Sequence, residues 1–238
     1  MSQAFLGHVP GVTWLESYAH PYGHMTIIMG TVNLTHPLDL VTHGVDGRIL
    51  EVLLGADAAF TGRQVHAMLD RGSAAGVQLG LNRLRQQGIV TAEPAGRAIL
   101  YRLNAAHLAT PYLRALVNLR RELLGRLRSE FEGWDPQPLA AYIFGSTARR
   151  NSADDSDVDL CVVRSQVVDA DAPAWRDQVD RLARMVTAWT GNEARVVEFS
   201  EEEVRSAAGH DPLLASIRAE GIQLAGDESL LRSSRPKR

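Results

Sequence analysis

The sequence predicts an α+β protein of two modules joined by a long helix, the second module carrying a mixed sheet flanked by helices. Three observations predict it. The hydrophobic period turns from helical to alternating after Gly88, and an apolar stripe with helical spacing runs from Leu113 to Phe131. Between 139 and 163, an apolar strand, a Gly-Ser pair, a helix start and a strand opening on Asp-x-Asp follow one another. The 238 residues are 45% hydrophobic and 22% charged, which excludes a fibrous or mainly disordered chain. No apolar run approaches the roughly 18 residues of a membrane-spanning helix. The first basic residue is Arg48 and the only cysteine is Cys161, so neither a secretory leader nor internal disulfides nor a Cys-rich metal site is expected. These features point to a cytoplasmic location.

The net charge of −3 conceals an uneven distribution. Residues 61–133 hold 11 basic and 5 acidic side chains, whereas 134–229 hold 9 basic and 18 acidic ones. A basic middle followed by an acidic part suggests modules with different partners. The expected boundaries are a poorly ordered segment 1–35, a first module 36–106, a connector 107–137, a second module 138–226 and a basic, disordered tail 227–238. Met25 is an alternative start, since nothing before it reads as structural.

In the first module, Ile49, Leu50, Val52, Leu53 and Leu54 form an apolar helical stripe that ends at Gly55. Thr61 can cap a second helix burying Val65, Met68 and Leu69. Ser73 can cap a third, whose buried face is Val77, Leu81 and Leu84, and Gly88 ends it. Ile89 to Ala92 and Arg97 to Leu103 then read as a hairpin turning at Glu93 to Gly96. Three helices and a hairpin give the order of a winged helix-turn-helix. With the phrase LNRLRQQGIV, the stretch resembles winged-helix regulators of the arsenic-repressor and multiple-antibiotic-resistance kind. The resemblance implies that the third helix enters the major groove of double-stranded DNA, presenting Gln78, Asn82, Arg83, Arg85 and Gln86. Arg97 and Arg102 in the wing would reach the backbone. Gly76 and Gly80 each cost about 1 kcal/mol of helix propensity but permit close backbone approach.

The connector starts at Pro111, which suits a first helical turn. Its stripe of Leu113, Leu116, Val117, Leu123, Leu124, Leu127 and Phe131 can be buried against the chain's own modules or against a twin helix in a homodimer. Its arginines read as a solvated face. Glu132 to Pro138 breaks the helix.

The second module holds the most specific signal. Asp157 and Asp159, at i and i+2 of a strand, project to one face, where their mutual repulsion invites a divalent cation. Hard oxygen ligands, few in number, suit Mg²⁺, which takes further ligands from a triphosphate. Gly145 allows close approach, and Ser146 at a helix start can bind a phosphate oxygen. Ten residues separate Ser146 from Asp157. With the motif FGSTARRNSADDSDVDL, residues 139–226 resemble the minimal nucleotidyltransferases of the DNA polymerase β superfamily. Relatives often carry Gly in the place of Arg150. Arg149 and Arg150 here offer cationic groups for the triphosphate, and Asp154 and Asp155 read as solvated loop acids.

The resemblance implies a third carboxylate on a later strand. Asn192 to Phe199 is the candidate strand and Glu198 its acid, with Glu193 as competitor. Trp175, Val179, Leu182, Met185, Val186 and Trp189 read as a helix covering the sheet, and Ser200 with Glu203 as a capping box. The resemblance further implies transfer of a nucleoside monophosphate to a hydroxyl. Two Mg²⁺ ions, or Mn²⁺, would be held by Asp157, Asp159 and Glu198, and the nucleotide by Gly145, Ser146 and Arg149. ATP is the default donor, because similar proteins use it. Some of those adenylylate a partner toxin, so a protein acceptor such as a toxin is one expectation; RNA and small molecules are others. The rival expectation is a DNA-binding transcriptional regulator whose nucleotidyltransferase module senses nucleotide or is inactive.

Overall fold

The computed structural model of the chain describes residues 31–42, 44–149, 157–207, 211–227 and 229–232. Met25, Arg150, Asp154 and Asp155 lie outside the described residues. A 3₁₀ turn at Pro37–Leu40 precedes α1 (Asp46–Leu54), which buries Ile49, Leu50, Leu53 and Leu54. After β1 (Phe60–Thr61), helix α2 (Gly62–Met68) opens on a capping box. The Gln64 amide donates to Thr61 Oγ1 at 3.3 Å, and the Thr61 amide to Gln64 Oε1 at 2.8 Å. Val65 is buried as expected, but Met68 is exposed. The helix stops at Met68 and Leu69 is already extended, yet Leu69 packs, half-buried, against the same core as Val65.

Ser73 caps α3 (Ala74–Gln86), accepting from the Gly76 amide, and Val77, Leu81 and Leu84 are buried as the spacing predicts. Gly80 does allow a close approach, but to α1. A Cβ there would lie 2.6 Å from Ile49 Cδ1 and 2.7 Å from Asp46 Oδ1. The hairpin of β2 (Val90–Ala95) and β3 (Ala98–Leu103) is longer than expected, because Glu93, Pro94 and Ala95 pair with Leu100, Ile99 and Ala98 instead of turning. With β1 it makes a three-stranded sheet ordered β1-β3-β2.

The expected single connector helix is two helices, α4 (Thr110–Val117) and α5 (Leu119–Glu132), broken at Asn118. The Asn118 side chain donates to the Arg114 carbonyl at 2.7 Å and ends the first helix. The break has a packing reason. Leu113, Leu116 and Val117 lie against the core of α1, α2 and α3, whereas Leu123, Leu124, Leu127 and Phe131 are buried in the core of the second module. The apolar stripe is therefore covered by the chain itself.

The second module begins with β4 (Ala140–Phe144), α6 (Gly145–Arg149) and β5 (Val158–Arg164). Helix α7 (Pro173–Thr190), β6 (Ala194–Ser200), α8 (Glu201–Ser206), α9 (Pro212–Glu220), β7 (Ile222–Gly226) and α10 (Ser229–Arg232) follow. The sheet is mixed, in the order β6-β5-β4-β7, with β5 and β6 parallel and the other pairs antiparallel. On one face α5 and α7 bring Leu127, Phe131, Trp175 and Leu182 against Ile143, Leu160 and Val162. On the other, Val204 of α8, Leu214 and Ile217 of α9 and Leu231 of α10 cover Tyr142, Cys161 and Val163. Burial pushes the Cys161 thiol up to about 12, so it is a packing residue.

Two expected disordered segments are partly folded. In the first, the Val32 amide donates to the Thr190 carbonyl at 3.1 Å and to Asn192 Oδ1 at 3.0 Å, and Leu34 is buried beside Leu123 and Leu127. In the tail, α10 buries Leu231. Both segments hold isolated leucines too short in sequence to show a period.

Candidate nucleotide-binding site

Because β5 lies beside β4 in antiparallel register, Asp159 pairs with Phe144, the last residue before the Gly145 turn. Gly145 has φ +69°, and a Cβ on it would collide with the Asp159 carboxylate. The glycine thus does two things: it takes the left-handed turn into α6 and leaves room for the acid. Asp157 lies just before β5. Partial burial and then the Asp157 charge raise the Asp159 pKa, against the lowering pull of Arg195 and Arg149. The acidic pair is thus short of positive charge, a condition one divalent cation would relieve.

Arg149, at the end of α6, is ion-paired with Glu220 of α9. Arg195 of β6 is in register with Asp159 in the parallel pair and reaches Asp157 Oδ2 at 2.7 Å. Its side chain is 60% exposed. Gly145, Ser146, Arg149, Asp157 and Asp159 are therefore brought to one end of the β4–β5 pair, with Arg195 and Glu220 beside them. Neither of the last two was expected, because strand register cannot be read from one sequence.

Glu198 is not brought there. It pairs with Val162, one full alternation and one residue beyond Asp159, so its side chain points to the opposite sheet face. There Glu198 Oε2 accepts from Trp175 Nε1 and Oε1 from Arg176, both at 2.6 Å. The expected third carboxylate is in the described structure an anchor between β6 and α7. Glu193 lies just before β6, at the same strand end as Asp157, where its carbonyl accepts from the Val158 amide at 2.8 Å and its side chain is exposed. Among the described residues no group of three His, Cys, Asp or Glu side chains is arranged to hold a metal ion. Asp157 and Asp159 offer hard oxygen donors of the kind that suit a divalent cation.

In the first module, the residues expected to face DNA fall into two sets. Arg83 is held by Asp46 of α1, with Nε to Oδ2 at 2.9 Å and Nη2 to Oδ1 at 2.6 Å, and this bond raises its pKa further. Gln78 Nε2 donates to the Tyr101 hydroxyl at 2.8 Å and sits 3.5 Å from Asn82 Oδ1. Arg85 and Gln86 are exposed on α3, and Arg97 is exposed at the hairpin turn. Arg102 of β3 reaches Asp57 at 3.8 Å.

Residues 129–208 match the family model described as polymerase beta, nucleotidyltransferase. That stretch, from late α5 to just past α8, carries a nucleotidyltransferase-like domain. A search of curated proteins found no match. The chain is similar to a solved structure of a toxin–antitoxin with AMP-PNP at 20% identity and a TM-score of 0.32, over 48% of this chain and 79% of that one. It is also similar to a mutant of the toxin–antitoxin MntA–HpeT at 18% identity and a TM-score of 0.31, over 48% and 79% respectively. Among the described residues, no helix is long and apolar enough to cross a membrane.

Proposed function

We propose that the second module binds a nucleoside triphosphate at Gly145, Ser146 and Arg149 and transfers its nucleoside monophosphate to an acceptor hydroxyl: the hydroxyl oxygen bonds to the α-phosphorus, the α–β phosphoanhydride breaks, pyrophosphate leaves and the hydroxyl proton passes to solvent. The observation that carries the reading is the Asp159 carboxylate packed against the left-handed Gly145 turn, with Asp157 beside it. In this reading the Gly145 turn lets the triphosphate approach the backbone, Ser146 Oγ donates to a phosphate oxygen, and Arg149 and Arg195 offset its charge. Asp157 and Asp159 would hold Mg²⁺ or Mn²⁺, which supplies charge neutralisation on the phosphates. ATP is the proposed donor, and a partner protein such as a toxin the proposed acceptor class.

We further propose that the first module, read as a winged helix-turn-helix, binds double-stranded DNA through Asn82, Arg85, Gln86 and Arg97. The exposed polar face of α3 favours this, and Arg83 and Gln78, exposed on the same helix, are tied to Asp46 and Tyr101. A second reading of the whole chain, a regulator that binds nucleotide without transferring it, is favoured by the position of Glu198 on the far sheet face.

Radiolabelled ATP, GTP, CTP and UTP, each with Mg²⁺ and host lysate, test the enzyme reading. Label on a macromolecule or small molecule, lost in the Asp157→Ala, Asp159→Ala double variant, is the expected result. Nucleotide binding without label in any arm would leave the regulator as the reading.

A further inference from the structure

We infer that Arg120 is a positioning residue for the proposed triphosphate site, holding the backbone of α6 from the connector. The inference rests on the reading that Gly145, Ser146 and Arg149 bind a nucleoside triphosphate. It begins from a pair of hydrogen bonds. Arg120, the second residue of α5, donates from Nε to the Thr147 carbonyl at 2.8 Å and from Nη2 to the Ala148 carbonyl at 3.0 Å. One planar guanidinium thus spans two successive carbonyls, which the compact ammonium of a lysine does not match.

The short helix needs such a partner. Its five residues fall well below the roughly 12 that a helix needs to persist alone. The last carbonyls of a helix lack intrahelical donors, and a cationic side chain at that end satisfies them. Gly145, at φ +69°, gives the chain entering α6 more freedom than another residue would. Thr147 is buried, and Arg149 is ion-paired with Glu220. In the proposed reading, however, Arg149 is shared with the triphosphate, whereas the bonds from Arg120 go to backbone and stay when nucleotide binds.

Arg120 is itself presented by a fixed element. Leu123 and Leu124 of α5 are buried in the core of the second module, and Leu119 packs against it. The break at Asn118 lies two residues earlier. The side chain that holds α6 therefore stands where the connector enters the second module.

The test is calorimetric titration of the full chain with a non-hydrolysable ATP analogue and with AMP, each with Mg²⁺, well below the melting temperature. Arg120→Ala is expected to weaken the triphosphate analogue about tenfold and AMP much less, so that the preference between them falls. Arg120→Lys, which keeps the charge but loses the fork, should lie between Arg120→Ala and wild type. Two controls isolate the effect. Arg121→Ala removes an exposed charge one residue on, and Arg181→Ala removes another tie of α5, to Glu130 at 2.7 Å; both should stay within about twofold of wild type. A wild-type preference in a folded Arg120→Ala would overturn the inference alone, as would an equal loss of both ligands or an equal loss in Arg121→Ala. Should Arg120→Ala not fold, Arg120→Lys decides: a reduced preference supports the inference and a wild-type one overturns it. Failure of the wild type to bind the analogue would overturn the nucleotide reading and the inference with it.

Discussion

Gly145 and Asp159 fit together so closely that the glycine has no room for a side chain: a Cβ on residue 145 would collide with the Asp159 carboxylate, at a backbone φ of +69° that other residues seldom adopt. Space and conformation therefore impose the same residue by separate routes. Gly145→Ala is expected to cost about 1–3 kcal/mol of stability from backbone strain and the displaced acid. Nucleotide affinity should fall further, because the displaced carboxylate belongs to the proposed triphosphate site. Urea unfolding and calorimetric titration with Mg-ATP check the two effects separately.

Glu198 gives the contrasting case. Its carboxylate accepts from Trp175 Nε1 and Arg176, so Glu198→Gln removes a charge-assisted pair and weakens the anchor between β6 and α7. A loss of about 1–3 kcal/mol is expected. Affinity for Mg-ATP should stay within twofold of wild type, whereas Asp159→Asn should lose it. An equal loss in both variants would return Glu198 to the nucleotide side.

On α3, Arg85 and Arg83 should separate although they lie two residues apart. Both are exposed, but the Arg83 guanidinium is ion-paired with Asp46 of α1. Arg85→Ala is expected to weaken duplex DNA binding and to lower the slope of log affinity against log salt by about 1. Arg83→Ala should act mainly on melting temperature. Anisotropy titrations across a range of salt concentrations read both.

The first module should also respond to pH. Glu51 is half-buried beside Arg48, with Asp39 and Asp70 nearby and His36 Nδ1 2.7 Å away, and its pKa is raised to about 7, mainly by burial. A carboxyl whose folded pKa exceeds its ordinary 4.5 favours the folded state while protonated. Its contribution is present below about pH 4.5 and is lost as pH rises through about 7. The melting temperature should fall across that window, and Glu51→Gln should flatten the fall.

Much of this was legible in one sequence, for physical reasons. The caps at Thr61, Ser73 and Ser200 are local, and each formed as its spacing predicts. The Gly145-Ser146 turn and the Asp157/Asp159 pair were legible because a glycine, a strand and an i, i+2 repeat are local too. What failed was long-range. Glu198 and Arg195 are three residues apart on β6, and only its pairing with β5 decides which of them meets Asp159. The break at Asn118 was hidden because one apolar period runs through both α4 and α5, which diverge to separate cores. Strand β7 was missed because five residues ending in Gly226 show little alternation.

The short backbone strap at 31–35 has a consequence for how the chain can be divided. Val32 donates its amide to the Thr190 carbonyl at the end of α7 and Leu34 is buried in the same core as Leu123 and Leu127 of α5, so the second module is interleaved with residues that precede the first module. A fragment cut at residue 107 would lose Leu34 from that core and the Val32 amide from the Thr190 carbonyl, and one cut at 138 would lose α5 as well. Each half has its own buried core, but the second half draws part of its cover from residues that precede the first in sequence.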